Sequence, residues 1–322
     1  MRKILFPLLA LIISSCSDDT SNPTPTKSTP ANPAIVPELN TGSKTTFKLI
    51  EKLPPGIEEV FGRAPSKEAG FYKFSFPRTD LHVMIDKISL DPRMGFTSWF
   101  GFKPMDTLNT EAMLMGDLVL LESESEAVLK KLDQRGIDIS AIHHHLLNEH
   151  PKILFIHVMA MGNPPDLTAK MKEVLEQTAT PLKATFTDTA STTDWGKTEE
   201  IIGIKGKREG SILTFVMPRQ EKVHDQAMEV PEYFGINSTI YLQKMGDKAA
   251  VTGDFVLINT EVNTAQKIIG RAGLHVTALH SHMIFENPRL FFLHFYGVDS
   301  PEKIATAIRE VLANSKHHLV KN

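Results

Sequence analysis

From about Thr46 to the C-terminus, apolar residues recur at two spacings, and the spacings appear in the same order twice. Phe71 to Pro77 alternates apolar and polar positions, the signature of a half-buried strand, and Ile212 to Pro218 does so more loosely. Leu81 to Leu90 and Phe96 to Phe102 add strand candidates, followed by Ala112 to Leu121 and its counterpart Ala249 to Ile258. The period then changes. Val128, Leu129 and Leu132 sit at helical spacing with Gly136 as a stop, and Val262, Ala265, Ile268, Ile269 and Ala272 lead into Gly273. Two further strands follow in each half, joined by a tight turn at Asn148 to Pro151 and at Phe285 to Pro288. An amphipathic helix closes each half. One runs from Asp166 to about Thr178. The other opens at Ser300-Pro301-Glu302, with an N-cap, a proline at the first helical position and an acid in the first turn. This order predicts an α+β fold of two homologous halves from internal duplication, each a largely antiparallel sheet with two helices.

Landmarks tie the halves together. Glu58-Glu-Val-Phe-Gly62 matches Glu199-Glu-Ile-Ile-Gly203, Pro77-Arg78 matches Pro218-Arg219, and Gly116-Asp117 matches Gly253-Asp254. The offset falls from 199 − 58 = 141 to 280 − 143 = 137, so a few residues were lost between Pro218 and Gly253. A unit of roughly 120 residues is too long for a solenoid repeat of about 20–50. The halves are expected at 46–178 and 197–316, with the Thr- and Ser-rich stretch 179–196 as linker.

The N-terminus reads differently. Arg2 and Lys3 precede an apolar run from Ile4 to Ile13 and then Ser14 and Ser15, the layout of a signal peptide over 1–15. The run is too short for a bilayer span, which takes about 20 residues. Ile13-Ser14-Ser15-Cys16 resembles the lipobox of bacterial lipoproteins, which implies a lipid-anchored Cys16 at the membrane. The Ser17 that follows favours, by the same resemblance, the outer membrane facing the periplasm. Residues 16–45 carry Pro23, Pro25, Pro30, Pro33 and Pro37 among Ser, Thr and Asn, too few apolar groups to pack, and read as a tether. Cys16 is the single cysteine, so no intramolecular disulfide supports the exported fold.

Overall composition narrows the rest. The chain has 322 residues, is 41% hydrophobic and 23% charged, and carries a formal charge of −3, with no basic stripe interleaved with aromatics, so nucleic acid is not an expected partner. There is no phosphate-cradling glycine loop, no Gly-x-Ser-x-Gly elbow and no cysteine nucleophile. Arg78 and Arg219, each after a proline at a strand end, read as surface ion pairs, with anion binding as the alternative, and Asp117 and Asp254 read as turn formers.

The pointed chemistry lies in the histidines. His143, His145, Glu149 and His157 recur as His280, His282, Glu286 and His294. Residues two apart on a strand share a face, so His143 and His145 point one way, beside Ile139, Ala141 and Leu147. His144 is matched by Ser281 and His150 by Asn287, and neither is counted. His157 joins the set only if the hairpin register places it on the same face. Such a set suits a divalent transition metal: zinc, iron, copper or nickel. His-x-His-xxx-Glu resembles the first metal-binding motif of the cupins, whose third histidine comes from a separate motif further on, so the likeness is one of ligand chemistry. The alternative is that the histidines only knit a duplicated hairpin.

Pro-Arg, Gly-Asp-Leu-Val-Leu-Leu-Glu122, a Gly-Ile turn and Ala-Ile-His-x-His-Leu-Leu-x-Glu-x-Pro…His, together with the lipobox, resemble the LppY/LpqO lipoprotein family of unknown function. The resemblance covers about 46–315. It departs at His144, where the family often shows Asn, and at Gln220-Glu221, where the first half has Thr79-Asp80. Three readings result: an anchored protein binding a metal or small polar ligand; a non-catalytic module binding a cell-envelope component; and a metal-dependent hydrolase.

Overall fold

The computed structural model describes residues 55–105, 110–187, 189–191, 193–226 and 228–319. Residues 46–322 form one compact unit. Cys16, the signal peptide and the tether lie outside the described residues. Among the described residues no helix is long and apolar enough to cross a membrane.

The first half runs α1 (Ile57–Phe61), β1 (Ser66–Glu68), β2 (Phe71–Pro77), β3 (Val83–Ile85), β4 (Ile88–Leu90), β5 (Thr97–Pro104), β6 (Ala112–Leu121), α2 (Ser125–Arg135), β7 (Asp138–His143), β8 (Glu149–His150), β9 (Ile153–Gly162) and α3 (Pro164–Leu175). The second half repeats it as α4 (Gly196–Ile202), β10 (Lys207–Glu209), β11 (Ile212–Pro218), β12 (Val223–Asp225), β13 (Met228–Val230), β14 (Asn237–Met245), β15 (Lys248–Leu257), α5 (Asn259–Arg271), β16 (His275–His280), β17 (Glu286–Asn287), β18 (Phe291–Asp299) and α6 (Pro301–Ala313). Each half holds a six-stranded antiparallel sheet, β1-β2-β5-β6-β9-β7 and β10-β11-β14-β15-β18-β16, and a three-stranded one, β4-β3-β8 and β13-β12-β17.

Strand alternation sorts the side chains into layers. On β6, Leu114, Leu118 and Leu120 pack with Val128, Leu132, Leu167 and Met171 of the helices, while Met113, Met115 and Val119 face the other half. On β18, Leu293 and Phe295 join the helical core of the second half, and Phe292 faces the first. Two shared clusters join the halves: Val119 and Phe155 pack with Ile212 and Ala250, and Phe71 and Met115 with Phe234 and Val256. The architecture is therefore helices, sheet, sheet, helices, and the inner faces of both sheets meet between the halves.

The α+β duplication expected from the sequence is present, with three differences. Each half has a third helix, α1 and α4, of 5 and 7 residues, closed by Gly62 and Gly203 in the left-handed region at φ 65° and 90°. Helices this short show too little periodicity to be read from the chain. Arg78 and Arg219 are not surface groups. Both are buried, Arg78 between Asp80 (2.8 Å) and Glu124 (3.0 Å), Arg219 between Glu221 (2.9 Å) and Glu261 (2.7 Å), and each donates to a strand carbonyl, Val119 or Val256. Nor does the second half stop at 316: His317 is buried and bonds the Ser238 hydroxyl at 2.8 Å.

Candidate metal centre at the interface of the two halves

The site starts from register. On β6 and β9, Asp117 pairs with His157; on β15 and β18, Asp254 pairs with His294. These strands carry apolar residues on both faces, and their inner positions are where the His and Asp side chains fall. The bulge in β7 does the rest. Ile139 is opposite Val158, but Ala141 is opposite His157, so one extra residue at Ser140 switches the face. Ile139 packs on the helical side, whereas Ala141 and His143 point inward with His157. Thr277 makes the same switch in β16. The unbroken period-two reading, which put Ile139 and Leu147 on the histidine face, is corrected: Ile139 faces the helices and Leu147 is exposed.

The six imidazoles form a single stack shared by both halves. His143 lies on His280 (ring centroids 3.5 Å apart), His145 on His294 (3.9 Å) and His157 on His282 (3.7 Å). Equivalent distances within each half agree: His143 to His157 is 4.9 Å and His280 to His294 is 5.0 Å; His145 and His282 each sit 3.3 Å from Phe155 or Phe292. A pseudo-twofold axis therefore passes between His143 and His280. Thr277 Oγ1, at the bulge of the second half, donates to the His145 carbonyl at 2.6 Å and fastens one hairpin to the other.

The rings are uncharged. Burial first, then the His280 ring, holds His143 down at about 3, and burial lowers His280 to about 4. Burial and neighbouring rings hold His145, His157, His282 and His294 well below the ordinary imidazole value. A carbonyl oxygen only accepts, so His282 Nδ1 donates its hydrogen to Gly235 (2.9 Å) and leaves the lone pair on Nε2. Longer contacts from His143 and His280 Nδ1 to the carbonyls of His144 (3.4 Å) and Ser281 (3.3 Å) favour the same tautomer. The Nε2 atoms of His143, His145, His157 and His282, and His294 Nδ1, are buried without a hydrogen-bond partner. His294 Nε2 lies 3.0 Å from His280 Nε2.

Neutral, orphaned imidazole nitrogens are what a transition metal takes, and carbonyls holding the opposite nitrogens are the usual outer support. Nitrogens of His143, His157, His280 and His282 lie within 4.8 Å of one another, as do those of His143, His145 and His294. Two nitrogens bound side by side to one ion at about 2.0–2.1 Å would stand roughly 3.0–3.4 Å apart, so modest rotations of these rings would complete either set.

Glu149 and Glu286 are corrected out of this set. Both are buried, and each caps its own turn: Glu149 accepts from Ile153 N at 3.4 Å, Glu286 from Leu290 N at 3.3 Å with Arg289 beside it. His144 instead contacts the Ile153 carbonyl at 2.7 Å, the place Ser281 takes against Leu290. The chain's separate copies of the motif thus make one composite centre.

The acids missed in the sequence are Asp117 and Asp254. They sit in mid-strand, not in turns. Asp117 Oδ1 is buried with no hydrogen-bond partner, 3.9 Å from His157 Nδ1. Burial first, then Asp254, holds the Asp117 carboxyl well above the usual range, and burial pushes Asp254 up to about 8. The signal available was a charged residue inside an apolar run, in both halves. With His145, His157, His282 and His294 they line a cavity of about 490 Å³ between the sheets.

Comparison with curated proteins finds no match. Two solved structures show a faint likeness: a double-ringed trimeric shell protein, MSM0271, from the RMM microcompartment (12% identity, 63% of this chain and 82% of that one, TM-score 0.19), and TP0453 in crystal form I (12% identity, 66% and 79%, TM-score 0.18). Neither score reaches a shared fold. The model of the Domain of Unknown Function (DUF1259) matches twice, over 55–177 and 196–314, the same two stretches that fold as the repeated halves and meet at the histidines. The chain belongs to that family.

Proposed function

We propose that this protein binds divalent transition metal in a single composite centre formed by His143, His145, His157, His280, His282 and His294. One observation carries the reading: five buried imidazole nitrogens in one cluster lack any hydrogen-bond partner, on rings kept neutral by burial. Stranding polar atoms this way costs stability unless something occupies the space between them. The donor set is all imidazole, which suits zinc, copper, nickel or iron.

The ligand sets overlap at His143, so His143→Ala disturbs both at once. Metal analysis of the purified chain is expected to return one or two equivalents. His143→Ala is expected to remove most of that content, and His280→Ala, in the other half, to remove the ion of the four-histidine set. Metal-free wild-type protein, unchanged in thermal stability by added zinc or by chelator, would overturn the reading. Two independent sites, one in each half, would instead show His143→Ala losing only half and His280→Ala losing only the ion of its own half.

For location, residues 2–16 support export and lipid attachment at Cys16, with the folded halves held off the membrane by the tether and, by the resemblance to LppY/LpqO lipoproteins, facing the periplasm. Mass spectrometry of the mature N-terminus tests this, and an unmodified Cys16 refutes it.

A further inference from the structure

The cavity beside the histidines breaks the symmetry that the histidines keep. Offsets of 141 (214 − 73) and 140 (233 − 93) relate its walls, as the paired strands show. Lys73 on β2 is replaced by Thr214 on β11, and Arg93 by Tyr233. The first half also supplies Arg63, while the second supplies Tyr241, where the first has Gly101. A Cβ at Gly101 would lie 2.8 Å from the Phe234 ring, so no side chain fits on that side. The first wall therefore carries Arg63 and Lys73, while the opposite wall carries the hydroxyls of Thr214, Tyr233 and Tyr241 and a cation, Lys207, already paired with Glu209 at 3.1 Å, over a floor that is the same in both directions.

Two cations on the first wall have unused capacity. Lys73 Nζ stands over the Trp99 ring at 4.5 Å; Glu68 and Asp117 are near enough to act on its charge, but among the described residues no carboxylate forms an ion pair with it. Arg63 uses one terminal nitrogen on the Ser75 carbonyl (2.6 Å), and its Nε is buried without a partner. Arg93 is already paired with Asp91 and is not counted. A partly desolvated ammonium and an unsatisfied guanidinium N–H lining one cavity form a ready receptor for an anionic oxygen.

We propose that the cavity takes a small molecule bearing a carboxylate or phosphate group, bound with that group against Lys73 and Arg63 and the remainder directed toward Tyr241 and the histidine floor. The asymmetric walls set its direction, so the duplicated centre meets an unsymmetrical ligand in one orientation. This deepens the metal reading by naming what would lie next to the ion, yet the anion subsite uses no histidine.

The test is isothermal titration of the purified full chain with inorganic phosphate, succinate and glycerol 3-phosphate, before and after chelation. Saturable binding of at least one probe is expected. Lys73→Met should weaken it about ten- to hundred-fold, the value of one charge-assisted hydrogen bond, while Lys73→Arg retains it and metal content stays unchanged in both. No saturable binding by any probe, or equal affinity in Lys73→Met, overturns the inference. Should Lys73→Met not fold, Trp99 reports directly: a ligand that engages Lys73 changes its emission, the change vanishes in Trp99→Phe, and saturation without any such change places the anion elsewhere. Binding that survives in His143→Ala while metal is lost separates the failure of the ion from the failure of the anion subsite.

Discussion

Lowering the pH addresses all six rings at once, and the size of the effect follows from their burial. Each histidine titrates lower in the native state than the ordinary value near 6.5, so the unfolded chain binds more protons as the solution is acidified below that value. The stability these rings contribute is full above about pH 6.5 and is lost as the pH falls. Between pH 6.5 and 5, His143 (held at about 3) and His280 (at about 4) stay neutral when native, and each loses ~2 kcal/mol, 1.5 pH units at ~1.4 kcal/mol per unit. His145, His157, His282 and His294 act in the same direction. Asp117 and Asp254 oppose them. Their carboxyls titrate higher in the native state, so the native form holds protons that the unfolded form has released; acidification returns ~2 kcal/mol for Asp254 over the same interval, and Asp117 acts in the same direction. His143, His280 and Asp254 together leave a net loss of ~2 kcal/mol, two losses against one return, which the four deeper rings increase and Asp117 reduces, against a total stability of about 5–15 kcal/mol. The assay is urea unfolding of metal-free protein at pH 7, 6 and 5, followed by tryptophan emission. The midpoint should drop steeply below pH 6.5, and the His143→Ala/His280→Ala double variant should show a shallower fall. A midpoint equal at pH 7 and pH 5 would refute the burial of neutral rings.

The other predictions are narrower. Arg78→Met should lower stability by about 3–5 kcal/mol in urea unfolding, because it leaves Glu124 and Asp80 without their buried cation. Asp254→Asn should be more stable than wild type at pH 8, with an advantage that grows by at most ~1.4 kcal/mol per unit between pH 4 and 8 and stops growing above; a pH-independent difference would show that the carboxyl is ionised in the fold. Gly253→Ala should cost about 1–3 kcal/mol and displace Asp254, since its Cβ would lie 2.2 Å from the Thr239 carbonyl oxygen at φ +151°; a folded variant with unchanged midpoint would contradict that contact.

The duplication, the antiparallel order of the strands, the long helices and all six histidines of the cluster could be read along the chain. These depend on the spacing of apolar residues and on identities repeated at a nearly constant offset, which are properties of the string. Glu149 looked like a ligand for the same reason: it recurs as Glu286. Its recurrence reflects a turn that must cap Ile153 or Leu290 in either copy. Asp117 and Asp254 recur as well, but a Gly-Asp pair reads as a turn until the strands on both sides of it are known.

What the sequence alone determined is the repeated unit and the one face on which His143 and His157 could meet, given a register. What only the tertiary structure decided is the register itself, through the bulges at Ser140 and Thr277, and the partner of each ring, which lies in the other half: His280 for His143, His294 for His145, His282 for His157. The physical reason is distance along the chain. Alternation is a local property, whereas the neutral charge of these rings, the raised acids and the cavity between them exist only where two inner sheet faces, more than a hundred residues apart in sequence, exclude water from each other.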